Sequence, residues 1–111
     1  MTPTDILPHY IACLLWAENE SLEDADTLAP EAEAYALERC ESFLYDNDAV
    51  DGLTPESVGH DLWLTSQGHG AGFWDRGYEY TRGQRLTKLA KLEQCDAYLG
   101  DDGLVHFMQE G

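Results

Sequence analysis

Residues 59–77 read Gly-His-Asp-Leu-Trp-Leu-Thr-Ser-Gln-Gly-His-Gly-Ala-Gly-Phe-Trp-Asp-Arg-Gly, with five glycines, two histidines, two tryptophans and an Asp-Arg pair in nineteen positions. The stretch changes character at Gly68. Before it, Thr54-Pro55-Glu56 supplies a cap, an N1 proline and an acidic first turn, so a helix is expected to carry Val58, Leu62 and Trp63 inward and to end near Ser66. From Gly68 to Gly77 the glycine density is incompatible with a stable helix, and an ordered loop is expected to cover part of the core with Phe73 and Trp74.

Outward from this stretch the chain reads as helices and one hairpin. Toward the N-terminus, Thr4 and Asp5 offer caps for a helix with Leu7, Ile11, Leu14 and Leu15 at helical spacing, Ile6 and Tyr10 beside them, and Pro8 read as lying in the first turn. Glu18 to Ala29 reads as an acidic connecting loop. Pro30 opens a second helix with Glu31 and Glu33 at its positive end and Ala36, Leu37, Cys40, Phe43 and Leu44 inward; Asp46-Asn47-Asp48 is expected to stop it. Toward the C-terminus, Tyr78 to Tyr80 reads as briefly extended. A fourth helix then runs from Thr81 or Gly83 to about Cys95, with Leu86, Leu89, Ala90 and Leu92 inward. Ala97-Tyr98-Leu99 and Leu104-Val105-His106-Phe107 flank Gly100-Asp101-Asp102-Gly103, a hairpin signal. The expectation is a single mainly α (α+β) domain over residues 1–111: about four helices, a C-terminal β-hairpin and an ordered glycine-rich loop.

Charge narrows the functional classes. The chain holds 22 acidic and six basic residues, a formal net charge of −16. Residues 1–75 contain sixteen of the acids and a single base, Arg39. A field of this sign repels nucleic acid, and Arg82, Arg85, Lys88 and Lys91 on the fourth helix are too few to overcome it; they are expected to pair with acids of the N-terminal helices. An acidic host proteome and a basic protein partner both account for such a composition. Cys13, Cys40 and Cys95 are widely spaced with no Cys-x-x-Cys pattern, and Cys13 and Cys40, at apolar positions of expected helices, read as buried free thiols in a reducing cytoplasm. Thr4 to Trp16 lacks the pattern of a signal peptide, and no apolar run approaches the roughly 20 residues of a membrane span, so a cytoplasmic protein with no membrane partner is expected.

The chemistry-bearing residues of the motif are His60, Asp61, His69, Trp74, Asp75 and Arg76. Two histidines and an aspartate are capable metal ligands, but their spacing does not place them on one helix face as His-Glu-x-x-His does, and no metal or cofactor is expected. No nucleophile elbow or phosphate-cradling loop stands in strand–turn–helix context, and no catalytic residue is assigned. Structural roles fit these types as well: Arg76 satisfying loop carbonyls, Trp63, Phe73 and Trp74 packing the core.

The motif, with Tyr10–Trp16, Arg85-Leu86-Thr87 and Tyr98–Gly103, resembles small acidic proteins encoded by bacteriophages, prophages and plasmids. That resemblance implies a mobile-element protein acting in the cytoplasm of a bacterial host. By charge and context it is similar to DNA-mimic inhibitors of host defence, anti-restriction and anti-CRISPR proteins among them, in which carboxylates occupy a nucleic-acid channel. The expected partner is then a host protein with a basic, nucleic-acid-binding surface, met by Glu18, Glu20, Glu23, Asp24, Asp26, Glu31, Glu33, Glu38 and Glu41. The alternative is a small enzyme or ligand-binding protein using His60, Asp61, His69, Asp75 and Arg76.

Overall fold

The computed structural model describes residues 1–68, 72–73 and 77–108. Four helices, α1 (Pro3–Ala17), α2 (Pro30–Phe43), α3 (Pro55–Ser66) and α4 (Tyr80–Lys91), precede an antiparallel hairpin of β1 (Ala97–Leu99) and β2 (Val105–Phe107). The fold is therefore mainly α with a small C-terminal hairpin.

The first helix begins two residues earlier than its sequence suggests. Thr2 is the cap: its hydroxyl accepts the Asp5 N–H at 3.3 Å while the Asp5 carboxylate accepts the Thr2 N–H at 2.8 Å, a reciprocal pair that satisfies two end donors. That backbone hydrogen bond also holds the Asp5 carboxyl below its ordinary value. Starting at Pro3 moves Pro8 out of the first turn and into the helix interior, where its ring nitrogen cannot donate to Thr4. Ile6, Tyr10, Cys13 and Leu14 form the buried face, whereas Leu7, Ile11 and Leu15 are only half-buried. The apolar stripe is wide enough to serve two neighbours, and contact with both α3 and α2 selects which side goes deepest.

Helix α3 lies at the centre. Thr54 caps it by accepting the Ser57 N–H at 3.2 Å, and every residue from Asp61 to Ser66 is buried. The Trp63 and Tyr10 rings meet edge to face, centroids 5.6 Å apart, a geometry contributing about 0.5–1.5 kcal/mol beyond area burial. Phe73, from the glycine-rich segment, stacks on Phe43 at 5.5 Å and donates its N–H to the Thr65 hydroxyl at 3.0 Å. It covers the core as expected; Trp74 lies outside the described residues.

Two sequence expectations are corrected. Residues 46–48 do not end the second helical run, which tightens into a 3-10 segment over Leu44–Val50 and so buries Ala49 and Val50. Tyr80, rather than Thr81 or Gly83, opens α4 after Glu79 with φ −51° and ψ 142°, and α4 stops at Lys91, so Leu92 is 77% exposed while the chain turns to bury Glu93 and Cys95. The stretch Glu18–Ala29 is a connecting loop, as expected, and it is anchored to the core. Leu22 is fully buried, and Val105 of β2 donates to Thr27 O and accepts from Ala29 N, each at 2.9 Å, in a parallel bridge at Leu28.

Candidate functional site

Within the motif, adjacent residues on α3 have different roles because a helix turns about 100° per residue. Gly59 lies where α3 crosses α1: a Cβ there would stand 2.5 Å from Ile6 O, 2.8 Å from His9 Cβ and 2.9 Å from Tyr10 N. The motif glycine thus lets two backbones touch. His60, the next residue, is half-buried and faces a groove, whereas Asp61 is fully buried in the core. His60 and Asp61 therefore do not share a solvent-facing site. His69, Trp74, Asp75 and Arg76 lie outside the described residues.

The groove beside His60 holds about 220 Å³ and is lined by His9, Ala12, Cys13 and Trp16 from α1 and by Glu56 and His60 from α3. A second hollow of about 380 Å³, lined by Thr54, Glu56, Ser57 and His60, continues from it through two shared residues. Trp16 is 68% exposed, yet its ring is not loose: it leans on the His60 imidazole at 6.0 Å between centroids and 31° between planes. Cys13 forms part of the floor. Burial, with Asp61 and Glu18 adding to it, pushes its thiol up to about 12, so it stays protonated and is a poor nucleophile. Among the described residues no group of three or more His, Cys, Asp or Glu side chains is arranged to hold a metal ion.

His9 and Trp16 were not singled out by their sequence context. The available signal is their seven-residue separation, which stacks them on one side of α1 with Ala12 between, together with a tryptophan placed off the apolar stripe.

The acidic surface is presented by ordered backbone. Glu20, Glu23, Asp24, Asp26, Glu31, Glu33, Glu38 and Glu41 are exposed and Glu18 is half-buried. Glu23 and Asp24 adopt left-handed backbone angles, φ 51° and 61°, and Asp24 N–H donates to Asn19 O at 2.9 Å, closing a tight turn over the buried Leu22. On α2, Glu31, Glu38 and Glu41 share the outer face and Glu33 flanks it, because Ala32, Ala36, Cys40 and Phe43 define the inner one. Only Glu38 and Glu41 are one turn apart; two turns separate Glu31 from Glu38.

Arg39 and Arg82 are committed to other contacts. Arg39 pairs with buried Glu93 at 3.2 Å and lies over the Tyr35 ring, and the Ser42 hydroxyl donates to the same carboxylate at 2.6 Å. Arg82 donates to the carbonyls of Ala49 (2.9 Å) and Asp51 and lies over Tyr78, fastening α4 to the 3-10 segment. At the opposite end of α2, His106 stands between carboxylates, Nδ1 at 3.2 Å from Glu31 and Nε2 at 3.0 Å from Asp102. No helix among the described residues is long and apolar enough to cross a membrane. Comparison with known protein families, with curated protein sequences and with solved structures finds no match.

Proposed function

We propose that the chain is an acidic protein-binding module whose surface over residues 18–41 docks on the basic, nucleic-acid-binding surface of a bacterial host protein, acting as a DNA-mimic inhibitor of a defence complex. The supporting observation is the run of exposed carboxylates on a closed turn and the outer face of α2, in a region whose single base, Arg39, is tied to Glu93. Scale agrees with this reading. A net charge of −16 spread over a 43 Å long axis is about one charge per 2.7 Å, against about one per 1.7 Å of duplex axis. Arginines and lysines spaced for phosphates would therefore meet carboxylates at a comparable density, and docking would release counterions from both surfaces.

Immobilised protein incubated in bacterial lysate should retain a basic protein that is released by duplex DNA and by high salt. Reversing Glu20, Glu23, Glu38 and Glu41 to lysine together should abolish its capture while leaving the far-ultraviolet circular dichroism unchanged. Capture that survives the reversal, or that duplex DNA does not compete, would sink the proposal.

A further inference from the structure

We infer that the groove between α1 and α3 is a receptor for an arginine side chain of a protein partner. The inference rests on the reading above and names an anchor that charge alone would not supply.

Four features converge on a guanidinium. Trp16 offers an exposed indole face, fixed in orientation by the imidazole of His60. The carboxylate of Glu56, an exposed residue, lies on the opposite wall, shared by both hollows. No lysine or arginine lines either hollow among the described residues, and the Cys13 thiol on the floor is kept neutral. The last turn of α1, which carries Trp16, and the first turn of α3, which carries Glu56, both reach the hollows, and their opposite partial charges offset one another. The indole face and the carboxylate each favour a cation.

Shape selects among cations. A guanidinium is planar and weakly hydrated, so it can lie flat on the indole while its edge N–H groups donate to Glu56. An ammonium is compact and strongly hydrated and matches the groove less well. A free phosphate or a nucleic-acid backbone is disfavoured by Glu56 and by the net charge of −16. Trp16 immediately precedes the acidic turn, so an arginine seated in the groove would belong to the same partner surface that faces Glu18, Glu20 and Glu23. A tryptophan taking an arginine is also a common pairing at interface hot spots.

The test is a titration of the full ¹⁵N-labelled chain with hexa-arginine, hexa-lysine and inorganic phosphate at low salt, read by amide and indole chemical shifts. Hexa-arginine should move the Trp16 indole N–H and the amides of Glu56 and His60. Trp16→Ala and Trp16→Leu should each weaken hexa-arginine about three- to tenfold and hexa-lysine less, and Glu56→Gln should weaken hexa-arginine as well. Trp16 is largely exposed, so its replacement leaves the core intact, and an unchanged melting temperature confirms this for each variant. Equal affinity of wild type and Trp16→Ala for hexa-arginine overturns the inference, as does a groove that responds to phosphate. If hexa-arginine shifts only residues 18–41, the anchor is refuted while the acidic-surface reading stands.

Discussion

The α1–α3 crossing and the α2–hairpin end achieve the same close approach by different means. At the crossing, Gly59 removes a side chain so that backbones meet, and Ile6, Tyr10, Leu62 and Trp63 exclude water around the contact. At the hairpin end, Val105 and Phe107 are buried too, Phe107 against Tyr35, but polar links are added at the surface: backbone hydrogen bonds between β2 and residues 27–29, and His106 set between Glu31 and Asp102. Burial is indifferent to ionic strength and moderate pH, whereas hydrogen-bonded charges at a surface answer to both. One chain therefore contains two joints with different sensitivities.

The largest effect is expected at the crossing. Gly59→Ala places a methyl against Ile6 O, a backbone atom that cannot swing aside, and should cost about 3 kcal/mol in urea unfolding, equally at low and high salt. Gly83→Ala is its control: that helical glycine has no heavy atom within 4 Å of the added carbon, so the same substitution should stabilise by up to about 1 kcal/mol. A destabilised Gly83→Ala and an indifferent Gly59→Ala would reverse the account.

A smaller loss is expected at the hairpin. The carbon added by Gly100→Ala would stand 2.5 Å from His106 Cδ2, so the imidazole must swing away from its partners; the cost should be roughly 1 kcal/mol. The measurement that separates the joints is salt dependence, which should shrink in Gly100→Ala and persist unchanged in Gly59→Ala.

Smallest is the pH effect of Asp102. Its carboxyl is held below the ordinary value of 3.8, first by the Leu104 N–H and then by His106. A depressed carboxyl stabilises the folded state fully above its unfolded value and loses that contribution as pH falls through the folded one. Asp102→Asn should therefore flatten stability against pH only below about 4. An identical acid limb in wild type and variant would show that the hairpin contact does not contribute.

Much of the architecture was legible because local chemistry and tertiary packing agreed. Thr54-Pro55 does begin α3, the hairpin falls on its Asp-Gly turn, and Phe73 covers the core. Where competing starts lay within a few residues, local capping geometry decided: Thr2 outcompeted Thr4 because Thr2 forms the reciprocal pair with Asp5. Leu92 continues the helical pattern yet is exposed, because the chain leaves α4 in order to bury Glu93 against Arg39. The groove was less legible than the fold. His60 was visible in its motif, but its neighbours His9 and Trp16 come from another helix, and no spacing within the motif encodes them.

By itself the sequence determined the helical class, the hairpin, the free buried thiols at Cys13 and Cys40, and the concentration of acid in residues 1–75, because periodicity, turn chemistry and charge are properties of neighbours along the chain. Tertiary structure alone decided that Gly59 is a contact point, that Asp61 faces the core while His60 faces solvent, and that Arg82 and Arg39 are occupied. Each of those outcomes depends on which helix lies opposite, and a residue's own spacing carries no record of its partner across the fold.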